Sequence, residues 1–283
     1  MSTGESVVPI PRHRLLALLG SELLTMFRRW RTIVMLAALA LVPVLIAVAV
    51  KVTGAGSRGH GPAFLSDITE NGLFVIFTAL TVSIPLFLPL TVAVVAGDTI
   101  AGEASFGTLR YLLIAPVGRV RLLAVKFASS GVFAIAAVLA IVIGGIAAGA
   151  ALFPIGPVTL LSGDTVGVAD AFGRVLLLAG YVAISLLGLC GIGLFISTLT
   201  SMPVGAMAAT VVLAGVSQVL DQLPQFEVIH RYLPTHLWLG FADLLRNPIL
   251  FDSYGQNAAL QLGYVVIFGA LAIGRFTTKD ILS

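Results

Sequence analysis

The chain predicts an all-α integral membrane protein with six transmembrane helices, and three observations carry that prediction. Of 283 residues, 58% are hydrophobic and only 10% charged, with a mean hydropathy of +1.07, well beyond the roughly 45–50% apolar content of soluble domains. The apolar residues gather into long stretches, at 32–50, 73–96, 127–153, 175–199, 202–220 and 258–273. None of these stretches contains Asp, Glu, Lys, Arg or His. A hydrocarbon core about 30 Å thick needs about 20 mostly apolar residues per helix, because every backbone polar group must be satisfied inside the helix. The last stretch is short and draws on flanking residues such as Tyr254 or Phe276.

In chain order, residues 12–31 come first. Leu15, Leu16, Leu19, Leu23, Met26, Phe27 and Trp30 recur at helical spacing, among Arg12, Arg14, Arg28, Arg29 and Arg31. That pattern predicts an amphipathic helix in the headgroup plane ahead of the first span. Ala47 and Ala49 would suit a signal-peptide cleavage site, but the apolar core before them is longer than the 7–15 residues usual for a secretory signal. Pro43, Pro85 and Pro89 fall inside apolar stretches and predict kinks, which neighbouring helices tolerate by re-satisfying the freed carbonyls. Gly145 with Gly149, and Gly188 with Cys190 and Gly191, are small residues at spacings that allow close helix contact. The single cysteine, Cys190, has no intramolecular disulfide partner.

Basic residues set the expected orientation, since short loops rich in Lys and Arg stay in the cytoplasm. With both termini cytoplasmic, the inner segments hold Arg12, Arg14, Arg28, Arg29, Arg31, Arg110, Arg119, Arg121, Lys126, Arg275 and Lys279, eleven of the sixteen basic residues. Lys51, Arg58, Arg174, Arg231 and Arg246 fall outside.

Several function classes lack their chemistry here. Proton relays and many ion-coupled transporters need ionisable groups within the spans. No G-x-x-x-x-G-K-[ST] phosphate loop occurs, since none of the three lysines follows a glycine, and no H-E-x-x-H, C-x-x-C or G-x-S-x-G is present. A channel or secondary transporter would also call for filter-like groups or inverted repeats, and neither is evident.

The most informative segment is the polar island at 97–126, GDTIAGEASFGTLRYLLIAPVGRVRLLAVK. It holds Asp98, Glu103, Arg110, Arg119, Arg121 and Lys126 between two uncharged stretches. Asp98 is expected to cap a short helix over 99–105, Gly107 to break it, and Thr108 to cap a second turn running to Pro116. From Val117 the pattern resumes as an amphipathic helix leading into the third span. Two short helices at a glycine form a knob suited to a protein groove, or a turn bridged internally from Glu103 to Arg110.

The island resembles the permease subunits of ATP-binding-cassette transporters of the ABC-2 membrane type. Their loop between spans two and three runs acidic-x-I-A-G-E, then G-T-L-x-x-L-L, then P-[VIL]-[SG]-R, then a lysine. The matching positions are Asp98, Ile100, Ala101, Gly102 and Glu103; Gly107, Thr108, Leu109, Leu112 and Leu113; Pro116, Val117, Gly118 and Arg119; and Lys126. The resemblance implies a single permease domain over 1–283, with a cytoplasmic tail and connecting helix at 1–31, a coupling helix within 97–126, and a re-entrant extracellular segment at 221–257. It also implies an exporter in the cell membrane, dimeric, with two copies of a separate ATPase subunit that binds ATP and Mg, this chain itself holding no cofactor or catalytic residue. Asp98, Glu103, Phe106, Leu109, Arg110, Tyr111 and Arg119 are the residues expected to dock the ATPase. Glu103 and Arg110 would make polar contacts, and Phe106, Leu109 and Tyr111 apolar ones. Spans two and five would contact an amphipathic drug, lipid or peptide.

The stretch 221–257 is too apolar for a free linker and too charged for a span. Its Glu227, His230, His236 and Asp243 are of metal-ligating type but lack paired spacing. Tyr232 and Trp238 are expected at the membrane interface as aromatic anchors.

Overall fold

The computed structural model describes residues 12–53, 68–69, 71–107, 118–160 and 162–278. The protein is 81% helical. Its helices are α1 (Arg12–Arg28), α2 (Trp30–Thr53), α3 (Phe74–Ser83), α4 (Phe87–Ser105), α5 (Arg119–Leu152), α6 (Val168–Leu199), α7 (Pro203–Asp221), α8 (Glu227–His230) and α9 (Asp252–Thr278). A two-stranded hairpin, β1 (Val158–Thr159) with β2 (Thr165–Val166), joins α5 to α6, pairing Val158 with Val166 and Thr159 with Thr165. Among the described residues six helices, α2, α4, α5, α6, α7 and α9, are long and apolar enough to cross a membrane, as the sequence predicts.

The second span departs from expectation. Instead of one helix it is two, α3 and α4, interrupted at residues 84–86. Pro85 sits at the break, where its missing N–H and ring clash end a helix. Pro89 causes no break because it lies in the first turn of α4, whose amides have no intrahelical partner to lose. Pro43 is absorbed within a continuous α2. Downstream, α4 does not stop at the expected span end but continues to Ser105. The long helices α5 and α6, of 34 and 32 residues, reach about 50 Å at 1.5 Å per residue. Each overshoots a bilayer core, so their ends belong to the surfaces.

The bundle has a centre and a periphery. In their most apolar stretches, 67% of α4 and α6 is buried, against 17% of α9 and 22% of α2 and α7. Phe133, Ile141, Leu178, Tyr181 and Leu186 are fully buried in the main core. Lipid tails are as apolar as leucine, so association between spans relies on close packing rather than on the hydrophobic effect. The small residues supply it. Gly145 and Gly149 of α5 lie against Ile76 and Gly72, and Gly188 and Gly191 of α6 against Gln261, Tyr264 and Val265 of α9. A Cβ on Gly97 would stand 2.8 Å from the Met207 backbone nitrogen, which is how closely α4 and α7 meet.

The α1 end is defined by the N-terminal helix, and the hairpin end lies opposite. Helix α1 presents Leu19, Glu22, Leu23, Met26 and Phe27 to the bundle, packing on α5. Trp30, expected on that face, is 77% exposed because the chain breaks at Arg29 and restarts as α2. The stretch 222–251 consists of short turns at Pro224–Phe226 and Gly240–Leu245 around α8. Its irregular carbonyls are satisfied by long side chains from α6 and α9, as buried backbone requires. Tyr181 Oη donates to Leu237 O at 2.5 Å, Gln261 Nε2 to Pro234 O at 2.8 Å, and Tyr264 Oη to Tyr232 O at 2.6 Å. Arg174 Nη1 donates to Leu244 O and Arg246 O, each at 2.7 Å. Trp238 is therefore no interfacial anchor: it is buried in the main core with Phe241 and Leu244. Tyr232 is exposed, its ring covered by the Arg231 guanidinium at 4.7 Å. The last span begins at Asp252, earlier than its apolar residues suggest.

Candidate functional site

The described parts of the polar island, residues 97–107 and 118–126, lie at the α1 end. They are tied to the bundle by three sets of contacts. The first fixes α4 to α6. Ser197 Oγ donates to Gly97 O at 2.7 Å and accepts from the amides of Ile100 and Ala101 at 3.0 and 2.8 Å. One hydroxyl thus spans a full turn of the helix that carries Asp98 and Glu103.

The second set is electrostatic. Asp98 lies inside α4 and is not the cap of a separate helix over 99–105; its carboxylate pairs with Arg31 and, at 3.4 Å, with Arg29. It thereby joins α4 to the junction between α1 and α2. Lys126, whose side chain is only 3% exposed, reaches Glu22 of α1 at 2.7 Å and Glu103 of α4 at 3.0 Å. A buried ammonium is tolerated only when it is paired, and here two carboxylates from two different helices share it. Asp98 and Glu103, with their partners Arg29, Arg31, Lys126 and Glu22, line a cavity of about 180 Å³. Among the described residues three cations face three carboxylates, so the formal charges of the lining balance.

In the third set, Arg119, at the start of α5, donates from Nη1 to Phe276 O at 3.1 Å and Thr277 O at 2.9 Å. These are last-turn carbonyls of α9, where a cation also favours the helix dipole. Phe106 ends α4 and is 83% exposed, and Gly107 follows at φ +70°, the left-handed backbone that glycine adopts without strain.

Of the residues expected to dock an ATPase, Asp98, Glu103 and Arg119 are engaged in holding the bundle together, while Phe106 projects from it. Leu109, Arg110 and Tyr111 lie outside the described residues, as does the second turn expected up to Pro116. Sequence reasoning missed Glu22, Arg29, Arg31 and Ser197 as partners. Glu22 had a signal: it is the only acid within 12–31 and shares a face with Leu19 and Met26. Near α8, His236 Nδ1 meets Asp221 Oδ1 at 2.5 Å and His230 Nε2 meets the Leu220 and Leu223 carbonyls at 3.1 Å. Among the described residues no group of three or more His, Cys, Asp or Glu is placed to hold a metal.

Six helices long and apolar enough to span, found among the described residues, define a multi-pass membrane protein. The profile of a family described as ABC-2 family transporter protein matches residues 18–217, more than two thirds of the chain. The chain belongs to that family, as a permease component of an ATP-binding-cassette transporter. No curated protein matches it.

Proposed function

We propose that this chain is the membrane-spanning subunit of an ABC exporter in the cell membrane. It forms the substrate path as a dimer and is driven by a separately encoded ATPase, present in two copies, that binds the ATP and Mg. The whole chain acts as one permease domain, with 97–126 as the segment the ATPase grips and 221–257 re-entering from the outside. The observation that carries the reading is the clamped end of α4: Ser197, Lys126 and Arg31 hold it to three helices while Phe106 stands clear of them. A segment that transmits force must be fixed on one side and free on the other. Asp98, Glu103 and Arg119 serve docking by positioning this end, and Phe106, Leu109, Arg110 and Tyr111 make the contact.

Energy supply tests the reading directly. The purified chain should hydrolyse no ATP, and turnover should appear on co-expression with its ATPase and respond to Phe106 substitutions. Proton-driven uptake by the lone chain in liposomes would replace this reading with a secondary transporter.

Orientation has its own test. In a Cys190→Ala background, Gln256→Cys should be labelled by an impermeant maleimide in intact cells and Gly118→Cys only after lysis. Both positions are exposed, at opposite ends of the bundle. Labelling of the 118 variant in intact cells would invert the topology.

A further inference from the structure

Where α1 ends and α2 begins, three arginines and a tryptophan follow one another as Arg28, Arg29, Trp30 and Arg31. All of them are exposed. Trp30 is 77% so, and the side chains of Arg29 and Arg31 are 50% and 43% exposed. Asp98 answers only part of this charge. A single oxygen, Oδ2, accepts from Arg29 Nη1 and from Arg31 Nη2, whereas a guanidinium carries five N–H donors in a planar fork. Among the described residues neither arginine makes another hydrogen bond, and Arg28 makes no hydrogen bond or ion pair at all. The elbow therefore presents accessible, unused donors, and Arg28 is a cation beyond those that balance in the cavity behind it.

We propose that this elbow binds the headgroup phosphate of a phospholipid of net negative charge. Arginine forks match phosphate oxygens bidentately, and a tryptophan beside them suits the headgroup level, where its ring has one wet and one apolar side. What selects a lipid over a free phosphate or an acidic protein is the surface that starts at Trp30. Val34, Ala37, Leu41, Leu45 and Val48 follow it at spacings of three and four, and all are exposed. One helical face thus runs from the arginines along α2 with no charged residue on it. A lipid lying there sets its phosphate at the elbow and its acyl chains on that face. Zwitterionic phospholipids share the phosphate but add a cation, which Arg28 disfavours. Because Arg29 and Arg31 also hold Asp98, the headgroup lies against the tie between α4 and the α1–α2 junction. The site is complete within one chain and stands whether or not an ATPase docks at Phe106.

Trp30 and Trp238 are the only tryptophans, so Trp238→Phe leaves Trp30 as sole reporter, and bromines on a lipid chain quench an indole that touches them. Full-length Trp238→Phe protein is placed in phosphatidylcholine bilayers in which brominated phosphatidylglycerol or brominated phosphatidylcholine replaces a rising fraction of the lipid. Quenching of Trp30 should show phosphatidylglycerol preferred about tenfold, the scale of one or two arginines at an anionic headgroup. In 1 M NaCl, where the Debye length is about 3 Å, contact pairs survive and diffuse attraction does not, so a preference of about threefold should remain. Equal quenching by the two lipids, or a preference abolished by salt, overturns the proposal. Glycerol 3-phosphate at millimolar concentration should leave the quenching unchanged; displacement by it overturns the choice of a lipid. Native mass spectrometry of the unaltered protein gives an independent reading, with phosphatidylglycerol retained in preference to phosphatidylcholine. Arg28→Gln, at an exposed position, should lower that retention at least about threefold with no change in Tm, and equal retention in the variant overturns the role of Arg28.

Discussion

Lys126→Met is expected to destabilise the bundle by about 3 kcal/mol, within the range measured when one member of a buried charge pair is removed. The lysine side chain is almost wholly buried, and Glu22 and Glu103 are 31% and 21% exposed. Loss of the ammonium leaves the Glu22 and Glu103 carboxylates near each other across α1 and α4, partly shielded from water and without the charge between them. Thermal unfolding in nanodiscs reads the effect, and proteolysis of α1 should accelerate with it. The triple variant Lys126→Met, Glu22→Gln, Glu103→Gln should recover most of the loss, because uncharged groups of similar shape can replace a buried ion cluster at little net cost. A triple variant no more stable than Lys126→Met would exclude the ion cluster as the cause.

The second large effect is expected at Phe106. Because its side chain is 83% exposed, Phe106→Asp should leave the stability of the isolated chain within about 0.5 kcal/mol of the parent, as for most surface changes. If Phe106 anchors the ATPase contact, burying a carboxylate in an apolar groove should cost about 2–4 kcal/mol, the range for central interface residues. That is roughly a 30- to 1,000-fold loss of affinity. Complex yield on co-purification and stimulated ATP turnover are the measurements. Normal yield and turnover would remove Phe106 from the interface. Glu103→Lys, which in sequence terms reads as a pure docking lesion, does not make this separation. It sets two ammonium groups near 3 Å apart in place of the Lys126–Glu103 pair, and so lowers stability as well.

The six crossings, the continuity of Arg119 into α5 and the turn at Gly107 were legible because they rest on local signals: apolar run length, helical period and glycine. The broken second span was half legible. Pro85 announced a disturbance, but whether a proline kinks or severs a helix depends on what packs against it, here Gln218 on the freed Pro85 carbonyl. Trp238 was misread because an amphipathic ring has two environments available, and only the fold of 222–251 decides between core and interface. Asp98 was misread for a related reason. Its capping pattern is local, whereas the arginines that claim it lie 67 and 69 residues away in sequence.

Helix α4 has Phe106 at one end and, across the break at its other, the Pro85 carbonyl, which accepts from Gln218 of α7. Its 19 residues make a rod about 28 Å long. A hydrogen-bonded helix yields far less along its axis than at a break, so a thrust delivered at Ser105 arrives at Phe87 almost undiminished. There it meets a joint at residues 84–86: α3 packs on α2 and α5, and α4 on α5, α6 and α7, so the two halves of the span share α5 as a neighbour. An ATPase seated on Phe106, as proposed above, would therefore push along α4 toward this joint in the second span.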